Sequence, residues 1–169
     1  TRRRTYLNKQ QIPVWLDVVD SLPEWLTDKR TDPETIRDYL KLILFTGLRR
    51  REAATLLWAD VDLLSNTISI PGSVTKNKQE HVLTLPSYLV AMLGGREADK
   101  NPFVFPGQIE NQPVSEPKRI IEAIRRKCGF HFTLHDLRRT FATMAEDAGV
   151  RDYTLKRLLN HSGGRDVTA

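Results

Sequence analysis

The stretch "NTISIPGSVTKNKQEHVLTLP", residues 66–86, alternates apolar and polar positions on both sides of a polar tip. A period of two belongs to half-buried strands, because successive side chains of a strand point to opposite faces. On either side of this stretch the apolar residues recur every three to four positions, the period of a helix buried on one face. The chain is therefore read as a mainly helical α+β domain. One small antiparallel sheet of two or three strands sits between its two helical halves, with a hairpin near Asn77 and Lys78.

The helices have start and stop signals of their own. Asn8 with Gln11 forms a capping-box pattern ahead of Trp15, Leu16, Val18, Val19 and Leu22. "TDKRTDP" interrupts that period. Thr31 or Asp32 can cap a second helix, with Pro33 at its first position and Glu34 in its first turn. Ile36, Tyr39, Leu40, Ile43 and Leu44 carry this helix to Phe45, and Gly47 is a left-handed stop. A short helix over 49–57 follows. Beyond the sheet, helices are expected at 87–93, at 116–127 before Gly129, at 134–147 and at 152–160. "TRRRTYLN", residues 1–8, is basic and unpatterned, as a linker or arm is.

At 169 residues the chain suits one domain with a real core. No apolar run reaches membrane-spanning length and no secretory signal pattern opens the chain. One cysteine, Cys128, excludes an internal disulfide and suits a reducing compartment, so a cytoplasmic location is expected. The formal net charge of +5 mildly favours polyanionic partners, and the position of the charges matters more than their sum. His81, His131, His135 and His161 are scattered and make no zinc set with a single cysteine, and no HExxH or Walker loop occurs.

Four short segments carry possible chemistry. In "HDLRRTF", residues 135–141, His135 and Arg138 are three apart and share a helix face near the positive end of the helix, where an anion is favoured. Arg139 lies about 100° further round, toward solvent. In "TGLRRRE", residues 46–52, Arg49 follows a tight turn at a core helix, and Glu52 is spaced to orient it. In "TKNKQEHVLTLP", Lys76 and Lys78 stand at the hairpin tip. In "LKRLLNHSGG", a helix ends at His161. Taken singly, each reads as ordinary surface: exposed arginines, a capped histidine, solubilising lysines, a histidine against a helix dipole. His81 reads as surface or as a phosphate contact, and His131 as a loop residue. Trp15, Trp25 and Trp58 read as core. Lys118, Arg119, Arg125, Arg126 and Lys127 read equally as a solvated face or a DNA-lining one.

The order of the four segments is more specific than any of them. "TGLRRRE", a hairpin lysine, "HDLRRTF" and "LLNH" in succession resemble the tyrosine recombinases, or phage-type integrases, over about residues 31–169. The resemblance implies the catalytic-domain fold of that family, with a small three-stranded antiparallel sheet. It implies catalytic roles for Arg49, Lys76, His135, Arg138 and His161, a supporting role for Glu52, and DNA contacts from Arg50, Lys78, His81 and Arg139. Lys76 is preferred to Lys78 because the strand "VLTL" then keeps the family's spacing, although Thr84 stands where a proline is frequent. The implied reaction is DNA strand cleavage and rejoining through a 3′-phosphotyrosyl intermediate, which needs neither metal nor nucleotide cofactor. Double-stranded DNA is the implied partner, with a homotetramer on DNA and accessory DNA-bending proteins. A prophage or mobile element is the implied context, with integration, excision and resolution all open as outcomes. A type IB topoisomerase-like activity and an inactive DNA-binding module are the alternatives. The family's nucleophilic tyrosine follows the last histidine after a short linker, whereas Tyr6, Tyr39, Tyr88 and Tyr153 all lie upstream of His161. The chain is therefore expected to be a truncated catalytic domain, without the tyrosine segment and the N-terminal DNA-binding domain, that binds DNA without cutting it.

Overall fold

Asp32 sets the central helix. Its carboxylate accepts the Thr35 N–H at 3.1 Å, Pro33 fills the first turn, and α3 (Pro33–Thr46) runs on to a left-handed Gly47. Ile36, Tyr39, Leu40, Leu42, Ile43 and Leu44 are all fully buried, and Asp38 and Lys41 are buried beside them, so α3 is covered almost all round and becomes the axis of the core. The computed structural model describes residues 5–96 and 101–161 of the chain. Before α3 come α1 (Gln11–Asp20) and the single turn α2 (Leu22–Trp25). After it come α4 (Arg50–Ala54), a 3-10 turn (Trp58–Asp60), the strands β1 (Val61–Asp62), β2 (Thr67–Ile70) and β3 (His81–Thr84), and then α5 (Ser87–Gly94). The second half is α6 (Lys118–Cys128), α7 (Leu134–Asp147) and α8 (Asp152–Leu158).

Packing follows the apolar faces. α7 lies along α3, α6 covers α1, and α8 closes on α7. Trp15 meets Phe132 edge to face at 5.9 Å beneath α6. One polar network crosses the core: Arg96 donates to Asp38 at 2.8 Å, to the Thr35 hydroxyl at 2.9 Å and to the Val104 carbonyl at 3.1 Å. Arg37 takes the other Asp38 oxygen at 3.0 Å, so this buried carboxylate is fully partnered.

The sheet is antiparallel, ordered β1-β2-β3, with Ile70 opposite His81. The expected fold class and the position of the sheet between two helical halves agree with this. Several boundaries differ for physical reasons. The β2–β3 connection is not a tight hairpin at Asn77–Lys78 but a loop over residues 71–80. It opens with a turn on the Pro71 carbonyl and closes where the Thr75 hydroxyl donates to Gln79 O at 2.7 Å. The helix expected over 49–57 ends at Ala54, because Leu56 and Leu57 turn away to pair with Val104 and Phe103. α6 begins at Lys118 rather than 116, since a residue before proline avoids helical backbone and Pro117 takes the cap. Residues 5–8 are not a free arm: the Leu7 N–H donates to Thr140 at 2.9 Å, and the Thr5 hydroxyl donates to Asp136 at 2.6 Å. Arg2, Arg3 and Arg4 lie outside the described residues.

Candidate functional site

The site is built on the turn that ends α3. Gly47 has φ +69°, and a Cβ there would stand 2.5 Å from Phe141 Cδ1 and 2.8 Å from Leu159 Cδ2. Only glycine lets this turn, α7 and the end of α8 meet so closely. The Arg138 guanidinium lies at that meeting point. It donates to the Gly47 carbonyl and, at 2.9 Å, to the Leu159 carbonyl. It is buried (6 % exposed), and burial together with the neighbouring Arg49 pushes its pKa down to about 10. It stays charged at neutral pH, held by neutral carbonyls at a point where a second cation repels it.

Arg49 caps α4. The buried Glu52 carboxylate accepts the Arg49 backbone N–H at 2.9 Å and its guanidinium at 3.3 Å, so Glu52 does orient Arg49. His135 is exposed in the first turn of α7. Arg49, Arg138 and His135 line one cleft of about 430 Å³ together with Arg50 and Glu116. Burial lowers the His135 pKa first, and Arg139, Arg138 and Arg49 push it further the same way.

His161 follows α8 and lines a neighbouring cleft of about 860 Å³ that also takes in Asn77, His81 and Asn160. Burial lowers the His161 pKa first, then Arg138, Arg49, Lys156 and Lys76. Arg138 is the link between the clefts, since one of its nitrogens is bound two residues before His161. The structure thus draws Arg49, His135, Arg138, His161 and the loop of Lys76 into one region, and each imidazole feels both guanidinium groups. Lys76 and Lys78 are exposed on the 71–80 loop.

The remaining expectations divide. Arg50 is exposed and pairs with Glu116 at 2.8 Å. Arg139 does not simply meet solvent; it leans on Asp136 at 3.5 Å. His81 is a correction. It is neither a surface residue nor extended from the loop, because β3 alternates inward from its first residue and carries His81 and Leu83 to the buried side. Its Nε2 faces the Leu158 carbonyl at 3.0 Å. His131 is exposed in a loop. On α6, Arg125 donates to Phe132 O at 2.8 Å and Lys127 stands 4.9 Å from the Trp25 ring centre, so part of that basic stretch is bound to the protein's own surface. Tyr39 is buried and donates to Arg50 O at 3.3 Å, with its phenol pKa driven up by burial. No tyrosine lines either cleft among the described residues. Nor does any cluster of three or more His, Cys, Asp or Glu there suit a metal. Sequence reasoning took Asn77 only as a hairpin position and passed over Asn160. The signal was present at Asn160, for an asparagine just past a helix is a frequent left-handed stop.

A family model described as "Phage integrase family" matches residues 6–168. The chain is 26% identical over 162 residues to prophage integrase IntF of Escherichia coli K12, covering 92% of the chain and 32% of that protein. It is 30% identical over 137 residues to tyrosine recombinase XerA of Saccharolobus solfataricus, covering 79% and 43%. Among solved structures, the XerH site-specific recombinase in a pre-cleavage complex with difH superposes with a TM-score of 0.75 at 22% identity, over 94% of this chain and 47% of that one. The catalytic domain of bacteriophage HP1 integrase does so with a TM-score of 0.67 at 21% identity, over 95% and 82%. The chain spans about a third to a half of the length of these curated relatives.

Proposed function

The chain belongs to the phage integrase family, and from that premise we propose that it is the catalytic domain of a site-specific DNA recombinase that cuts and rejoins strands through a 3′-phosphotyrosyl intermediate. The observation that carries this reading is the pair of guanidinium groups, Arg49 and Arg138, lining one cleft beside His135. Arg49 and Arg138 repel one another; Glu52 offsets part of that repulsion from the Arg49 side, while Arg138 is bonded only to carbonyls in the contacts described, so the cleft still favours an anion. A DNA phosphodiester is such an anion.

The roles follow from charge. The phosphorane-like transition state gathers negative charge on the non-bridging oxygens, which Arg49 and Arg138 grip with planar forks. A tyrosine hydroxyl attacks phosphorus and gives up its proton, with His135 as base or positioning donor. The bond from phosphorus to the 5′-oxygen breaks, and Lys76 gives that oxygen a proton. His161 donates to the phosphate from the other side. A 5′-hydroxyl of a partner duplex then reverses the step, so bond energy is conserved in the intermediate. Glu52 acts by holding Arg49. In this reading the tyrosine is carried beyond residue 169, an N-terminal DNA-binding domain precedes residues 1–8, and the working form is a homotetramer on double-stranded DNA in the cytoplasm, with accessory DNA-bending proteins. Arg50, Lys78 and Arg139 add backbone contacts, whereas His81 is left out because its ring is buried against Leu158. The identity to integrases of E. coli prophages supports integration of a mobile element as the outcome.

The test is a nicked suicide duplex incubated with the full-length protein in the presence of chelator. A covalent protein–DNA band, lost when Arg138 is replaced by Ala, is the expected result. No band would overturn the mechanism.

A further inference from the structure

In the wall of the His161 cleft, two asparagines 83 residues apart exchange a pair of hydrogen bonds. Asn77 Nδ2 donates to Asn160 Oδ1 at 2.9 Å, and Asn160 Nδ2 donates back to Asn77 Oδ1 at 3.3 Å. Neither end is loose. Asn77 Oδ1 also accepts the Gln79 N–H at 3.1 Å, which ties the side chain to its own loop. Asn160 has φ +50°, a backbone that asparagine tolerates better than most residues. Each asparagine adjoins a proposed reacting group: Asn77 follows Lys76, and Asn160 precedes His161.

The surroundings make the pair a deliberate junction. Three consecutive residues at the end of α8 are each held by a different element. The Leu158 carbonyl faces His81 on β3 at 3.0 Å, the Leu159 carbonyl accepts from Arg138 on α7 at 2.9 Å, and the Asn160 side chain meets the 71–80 loop. Apart from that contact, the described loop that carries Lys76 is shaped by its own turns and by Val74, which packs against the core. Two amides suit this place. They donate and accept in equal number, and they add no charge among the cations there.

We infer that the Asn77–Asn160 amide pair is a positioning device for strand cleavage: it clasps the Lys76 loop to the turn that carries His161, so that the leaving-group acid and the phosphate-binding histidine arrive in register. This rests on the proposed role of Lys76 as that acid. An acid displaced by about 1 Å loses about 10²-fold in rate. Neither asparagine touches the phosphate in this account; both act through their neighbours.

The test is single-turnover cleavage by the full-length protein on two nicked duplexes, one with the ordinary 5′-oxygen and one with sulfur in that bridging position. A thiolate leaves without needing a proton, so sulfur removes the demand for an acid. Asn160→Gly keeps the left-handed backbone and deletes the amide. Asn77→Ser keeps a turn-capping oxygen and loses the reach. Each is expected to slow the oxygen substrate by about 10–10²-fold, to recover most of that on sulfur, and to lose little more when combined, because both break one contact. Equal losses on both substrates would reduce the pair to a scaffold contact, and no loss would remove it from cleavage; either result overturns the inference. Lys76→Ala run alongside separates the two levels. If sulfur does not restore Lys76→Ala, the role of Lys76 itself fails. If it restores Lys76→Ala but not the asparagine variants, only the clasp fails.

Discussion

Arg138 illustrates how one residue can serve fold and chemistry at once. Its side chain closes Gly47 and Leu159 together through two carbonyls, so its removal leaves buried acceptors unmet and, on the proposed reading, a phosphate ungripped as well. Arg138→Lys keeps the charge and gives up the fork. Cleavage is expected to fall by about 10²–10³-fold, the usual loss for a preorganised donor to a transition state, while duplex binding by gel shift changes far less. Equal losses in both would argue against a transition-state role. His135 and His161 lead to a second prediction. Both imidazoles have pKa values lowered by burial and by nearby cations. A bound phosphate reverses that field and raises them. DNA binding should therefore take up protons and tighten as pH falls through the histidine range, seen by fluorescence anisotropy at fixed salt. The double variant His135→Gln, His161→Gln should flatten the profile.

At the level of elements, the turn after α3 is a tight joint between α3, α7 and the end of α8. Gly47→Ala forces a left-handed backbone on a residue with a Cβ, at about 1–2 kcal/mol, and drives that Cβ into Phe141 and Leu159, at about 1–3 kcal/mol for overpacking. Urea denaturation should show a loss on that scale, and cleavage should drop further because Arg138 is anchored to the same carbonyl. The network through Arg96 is the other joint. Arg96→Ala leaves Asp38 buried with Arg37 alone and should cost about 3–5 kcal/mol of stability, with the cleft of Arg49, His135 and Arg138 untouched in the folded fraction. These elements also show what a sequence can reveal. The Asp32 cap, the buried face of α3, the Gly47 stop and the His135–Arg138 spacing follow from local rules, and all were legible. So was the convergence of distant motifs, but only through their order along the chain. The inward turn of His81 was not, because it depends on where a ten-residue loop releases β3, and strand register has no local signature there. The Asp38–Arg96 and Asn77–Asn160 contacts were hidden for the same reason: partners 58 and 83 residues apart meet only when the whole chain has packed.

Across the whole molecule, the sheet and its 71–80 loop meet the second helical half at the end of α8, and His81 at that joint is expected to make it sensitive to pH. The ring is buried beside Leu158 O. Desolvation lowers its pKa most, and Arg138 and Arg49 add to the fall, while the Leu158 carbonyl and Glu52 oppose it. Its unfolded reference is 6.5. Below that value the unfolded chain binds a proton at this position that the folded chain still refuses. Stability from this group is therefore present above about pH 6.5 and declines as pH falls toward the lowered folded pKa. Protonation would also set an imidazolium among the guanidinium groups, so the sheet, the Lys76 loop and α8 should loosen together. Urea midpoints between about pH 5 and about pH 7.5 should rise with pH in the wild-type protein and rise less steeply in His81→Gln, whose amide can still donate to Leu158. His135 and His161 contribute in the same direction but are exposed to water, so the buried ring carries the larger share. A variant that keeps the full slope would mean that acid opens the molecule elsewhere, and that β3 and α8 do not separate as one step.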